Sequence, residues 1–308
     1  MAVVTKKDLV SGFSVSGVEK GDVVLVHSAM RTLGQVEGGG MAVAEALREV
    51  LGETGTLVSP TFCFSHEAQN PPIIDPENDK SEMGAISEGI RLLPGAKRSL
   101  AYRHSFAACG KEAEFLTSVD PGLSPFDMDS TFGRLLGLDA KIMLLGVTYH
   151  NATAYHFAEY LLQVKDRHVF DVKTMVKNPD GSLTETVMKD YQPKPNESGK
   201  YYAYVHDYNR VGLILEEQGL VTVTRVGNAI CRVFRLRDLI HYFLDHYTTE
   251  FNLFAEVDGK PTVLPDGVVL KQDYLDGAGR PSEADWIVAD PAEMYRVGGK
   301  LTGIHIKT

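Results

Sequence analysis

Between residues 22 and 61 the chain runs from a short apolar segment, DVVLVH, through a glycine-rich stretch and an amphipathic segment into a second apolar run, GTLVSPT. This order restricts the fold more than any other feature. The two apolar runs are rich in β-branched residues and too short for helices, so each reads as a buried strand. Between them Val43, Leu47, Val50 and Leu51 recur at helical spacing after Gly40, and Gly52 supplies the stop. Strands joined through a helix lie parallel, and parallel strands are covered by helices on both faces. The predicted class is therefore α/β, with a mixed, largely parallel central sheet flanked by helices.

Later segments extend this plan. KIMLLGV, at 141–147, is nearly all apolar and belongs at the centre of the sheet. Residues 153–164 follow as a helix with Ala154, Phe157, Ala158, Leu161 and Val164 on its apolar face. From Val169 two alternating runs enclose Asn178, Pro179, Asp180 and Gly181, the signature of a hairpin, so a β-rich insertion is expected. Residues 211–218 and 236–247 read as helices, and 220–234 as two strands around Gly227. Past residue 250 the chain is rich in Asp, Gly and Pro without periodicity. The expected organisation is one main domain, 1–250, and a C-terminal extension, 251–308, packed on it.

Composition excludes several classes. With 308 residues, 44% of them hydrophobic, the chain has material for a core. No apolar run approaches the ~20 residues of a membrane span, and the start lacks the apolar core of a signal peptide, so a cytoplasmic protein is expected. Cys63, Cys109 and Cys231 are odd in number and form no CxxC, which argues against a disulfide framework or a zinc ribbon. The net charge of −10 comes without a Lys/Arg stripe, so nucleic acid is not an expected partner. That charge reads as solubility before it reads as attraction of a cationic substrate.

Three clusters carry chemistry. His27 and Ser28 end the first strand, and Gly38, Gly39 and Gly40 open the following helix; a coenzyme pyrophosphate suits such a place, though a triple glycine also serves as a plain flexible turn. In YRHSFA, His104 either binds a phosphate or thioester or is a partly buried histidine satisfied by a backbone carbonyl. In GVTYHNATAYHFAEY, His156, Glu159 and Tyr160 stand at i, i+3 and i+4 on one helical face, and an imidazole beside a carboxylate is a general-base arrangement. The alternative is a solvated polar face. His104, His150 and His156 match no helical zinc spacing such as HExxH, so no metal is expected, and no GxSxG elbow supports a serine hydrolase.

In this order the clusters resemble the aminoglycoside 3-N-acetyltransferase family, including its relatives that act on other amines. The similarity is carried by VLVHSAMRTLGQVEGGG, GTLVSPTF, MGAISEGIR, RSLAYRHSFAACG, SPFDMDSTFGRLLGLDAKIMLLGV, AYHFAEY and RVGNAICRVFRLRDLI. It implies the family's own α/β fold and direct acetyl transfer from acetyl-CoA to a primary amine, without an acyl-enzyme. It further implies that Ser28, Arg31 and Gly38, Gly39 and Gly40 face the coenzyme with His27, and that His104, Ser105, Phe106 and Ala107 line its other side. His156 matches the family's helix histidine, the base. Glu88 and Glu159 are candidates to orient it or grip the amine, and His27 joins them as a catalytic candidate. One departure matters: members that modify aminoglycosides often carry an aspartate shortly before this helix, where this chain has His150, Asn151, Ala152 and Thr153. The expected partners are coenzyme A and a small-molecule amine, with a homodimer left open. The alternatives are an N-acyltransferase of secondary metabolism acting on a non-aminoglycoside amine, a metal-dependent hydrolase and a non-catalytic coenzyme-binding scaffold.

Overall fold

The computed structural model describes residues 3–164, 167–194 and 207–247, together with Thr262, Leu264 and the backbone of four short strands beyond them. In chain order these contain α1 (Lys6–Ser14), β1 (Val23–Ser28), α2 (Gly39–Leu51), β2 (Thr56–Pro60), β3 (Ile73–Ile74), α3 (Ala85–Arg91), β4 (Lys97–Arg98), β5 (Phe106–Gly110), α4 (Ala113–Thr117), α5 (Thr131–Gly137) and β6 (Lys141–Leu145). There follow α6 (Ala154–Leu161), β7 (Arg167–Lys177), β8 (Leu183–Pro193), α7 (Tyr208–Glu217), β9 (Val221–Val226), β10 (Ala229–Arg235) and α8 (Leu236–His246). The chain divides into two compact units, the first Met1–Val147, Val169–Gln192 and Thr222–Arg237, the second Thr148–His168, Pro193–Val221 and Asp238–Thr308.

The first unit is built on a seven-stranded sheet in the order β4-β5-β2-β1-β6-β10-β9. Its three central strands are parallel, with Leu25 of β1 opposite Val58 of β2 and Ile142 of β6. β5 and β10 flank this trio antiparallel. The sheet is thus mixed with a parallel centre, as expected, and β6 lies beside the middle strand, β1. Every residue from Val23 to His27 is buried, so alternate side chains are covered on both faces, as a central parallel strand requires. Val24, Val26, Leu47, Ile86 and Met143 share one core. A second sheet, β3-β7-β8, contains the expected hairpin, closed where the Asn178 N–H donates to the Ser182 carbonyl at 2.8 Å.

In the second unit helices pack through aromatic rings. Tyr149 and Tyr155 are fully buried; the Tyr155 ring lies tilted 4.7 Å from the Tyr208 ring of α7 and meets Phe243 of α8 edge-on at 5.6 Å. Asp207 caps α7, accepting from the Arg210 N–H, and also accepts from the Thr262 backbone N–H (2.8 Å) and hydroxyl (2.6 Å). The expected extension, 251–308, falls largely outside the described residues; of those described, Thr262 is held by Asp207. No helix among the described residues is long and apolar enough to cross a membrane.

Candidate active site

The first unit carries the coenzyme-loop candidates. In β1-α2-β2, the parallel strands point their carboxyl ends toward the amino end of α2, where a Gly-rich opening presents backbone N–H groups. Gly38 caps α2 in the left-handed region, φ 77°, which favours glycine. Gly40 has a different reason: a Cβ there would collide with the Ala85 carbonyl at the start of α3, so it is glycine because two helices cross closely. Ser28 is half-buried and Arg31 exposed, whereas His27 is buried.

The other predicted coenzyme residues lie on and just before β5, and all four are buried. Phe106 and Ala107 are core residues of β5, with Phe106 edge-on to Phe62 and Phe132. The Ser105 hydroxyl donates to the Thr61 carbonyl at 2.9 Å. His104 is buried between Phe62 and Phe126 and is satisfied by a carboxylate, not a backbone carbonyl: its Nδ1 lies 3.0 Å from Asp190 of β8. Burial alone would raise the Asp190 pKa, but the hydrogen bond and charge of His104, with Arg103 and the Tyr191 N–H, more than offset it and hold the carboxyl at about 2. Glu88, on α3, accepts from Arg91 at 2.7 and 2.8 Å and from the Ser81 N–H; the Arg91 bond leads in lowering its pKa, against partial burial.

The second unit carries the histidine. On α6 the His156 Nδ1 lies 2.7 Å from Glu159, one turn on. Glu159 is wholly buried and His156 keeps 27% exposure, so this face is not the solvated alternative. The same carboxylate accepts from the Tyr208 hydroxyl at 2.6 Å and pairs with Arg167 at 2.8 Å, and Tyr208 lies 3.3 Å from the His156 Nδ1. A buried carboxylate is tolerated when it has a countercharge and hydrogen-bond donors, and Arg167 and Tyr208 supply both. When Nδ1 donates to the Glu159 carboxylate, Nε2 is the nitrogen able to take up a proton. Tyr208 and Arg167 were not anticipated, because they reach α6 from distant or following elements. His150 faces Asp207 at 3.8 Å. Among the described residues no group of three ligating side chains includes His104, His150 or His156.

The sequence profile of the aminoglycoside 3-N-acetyltransferase family matches residues 25–248, from within β1 to just past α8. The chain belongs to this family. It is accordingly an acyltransferase. It is 32% identical over 241 residues to aminoglycoside N(3)-acetyltransferase IV of a Salmonella species, covering 76% of this chain and 84% of that one. Aminoglycoside acetyltransferase AAC(3)-IVa, solved as a histidine-to-alanine mutant in complex with apramycin, is 28% identical and superposes with a TM-score of 0.62 over 80% of this chain and 92% of its own. AAC-IIIb, solved as a binary complex with CoASH, superposes at 0.69 over 82% of this chain and 100% of its own; at 19% identity that is a likeness of fold. The family match takes in both the β1-α2-β2 segment and the His156–Glu159 pair.

Proposed function

We propose that this protein transfers an acetyl group from acetyl-CoA to a primary amine of an aminoglycoside-like small molecule, directly and with His156 as general base. The observation that carries the reading is the His156–Glu159 pair, with an imidazole oriented through Nδ1 by a buried carboxylate. An amine is mostly protonated near neutral pH, so solvent first removes one proton. As the nitrogen attacks the thioester carbonyl, Nε2 of His156 takes the second proton, and the imidazolium that forms is stabilised by Glu159. Backbone N–H groups at Ser28 or the glycine loop would hold the tetrahedral oxyanion. Collapse breaks the C–S bond, and the departing coenzyme A thiolate receives the proton from the imidazolium. His27, Arg31 and Gly38–Gly40 serve the coenzyme.

A second acceptor is favoured by one feature: His150–Thr153 contains no carboxylate to meet a polycationic sugar. A different amine remains compatible with the same chemistry. Thiol release from acetyl-CoA, measured across aminoglycosides and simple amines, tests both. Turnover with an aminoglycoside supports the first acceptor class, turnover only with other amines selects the second, and no amine-dependent release with any acceptor contradicts acetyl transfer.

A further inference from the structure

The long connection from β2 to α3, which includes the two-residue β3, carries a group of side chains that the transfer reaction does not use. Cys63, His66 and Asp79 bring a thiol sulfur, a ring nitrogen and a carboxylate oxygen within 4.8 Å of one another, the only such group among the described residues. His66 is 4% exposed, and among the described residues neither of its ring nitrogens has a hydrogen-bond partner. A buried imidazole normally satisfies at least one nitrogen, because leaving both desolvated costs free energy that nothing offsets. Here a His66 ring nitrogen lies within 4.8 Å of a sulfur and a carboxylate oxygen, both of which can serve as metal ligands.

We propose that Cys63, His66 and Asp79 form a binding site for a divalent transition metal of the zinc type. Sulfur, imidazole and carboxylate are the donors zinc accepts, and three protein ligands leave its fourth position for water. A thiolate and a carboxylate balance the dication. The Glu82 carboxylate, 3.9 Å from the sulfur and hydrogen-bonded to the Ser65 N–H, stands where an outer acceptor would. Arg98 already clasps the loop, donating to the Thr61 carbonyl at 2.6 Å and the Asp79 carbonyl at 2.6 Å, so the ligands are held near one another before metal arrives. The metal would close the same loop through its side chains. CFSH alone gave no signal in the sequence because the third ligand lies well downstream, outside any CxxC or HExxH pattern.

The test uses the full-length protein stripped with a chelator and titrated with Co²⁺, then with Zn²⁺. The expected result is a stoichiometric thiolate-to-cobalt charge-transfer absorption, displaced by Zn²⁺ and accompanied by a higher Tm. Cys63→Ser should abolish that absorption, and His66→Ala should weaken metal binding at least tenfold. A wild-type Co²⁺ spectrum without a thiolate band overturns the proposal whether or not the variants fold. So does binding left unchanged by Cys63→Ser and His66→Ala in variants whose circular dichroism is intact.

Discussion

Buried carboxylates in this protein are defined by their donors. Glu159 is surrounded by His156, Tyr208 and Arg167, and Asp190 by His104 and Arg103. Removing the Tyr208 hydroxyl should leave the fold intact but loosen the orientation of the dyad; Tyr208→Phe is expected to slow turnover about fivefold, roughly 1 kcal/mol in barrier, with the acetyl-CoA Kd unchanged. Equal losses in Kd and turnover would instead mark Tyr208 as a packing residue. Asp190→Asn leaves His104 without its charge partner in an aromatic pocket, and a loss of about 3 kcal/mol in unfolding free energy is expected by denaturant titration. The pair His156–Glu159 was visible in the sequence because i, i+3 spacing on one helix is local. Tyr208 and Arg167 were not, since only the tertiary fold brings them to Glu159, and the same holds for Asp190, 86 positions from His104.

At the scale of elements, the crossing of α2 and α3 depends on Gly40, and the Cβ of a residue at Gly89 would come within 2.8 Å of the Gly40 carbonyl. Gly40→Ala is therefore expected to destabilise by about 1–3 kcal/mol, measured by chemical denaturation, through helix displacement. A tolerated substitution would mean that the glycines serve only the loop. β1, α2, β2, β6 and the hairpin were legible because periodicity and turn chemistry are local signals. β3 and β4, two residues each, are too short to show any period, and β5, FAACG, is five small or apolar residues without polar alternation. The antiparallel flanks of the sheet depend on which distant strand each edge meets, which no local pattern encodes.

For the whole molecule, Asp190 also sets an acid limit. Its carboxyl ordinarily titrates at 3.8 and is held at about 2 in the folded state, so the unfolded chain binds more protons between those values. The resulting stabilisation is fully present above about pH 4 and is lost as pH falls toward 2; its size is on the order of 2 kcal/mol. Asp190→Asn should lack this portion of the acid-limb slope, measured as unfolding free energy from pH 5 to 2, and an unchanged slope would contradict the assignment. The central claim concerns His156. Steady-state thiol release and acetyl-CoA binding, compared for wild type and His156→Ala, test it most directly. Turnover should fall by ~10²-fold or more with coenzyme affinity nearly unchanged, the pattern of a lost general base. Near-wild-type turnover at saturating substrates, with the wild-type pH dependence retained across neutral pH, would show that His156 is not the base.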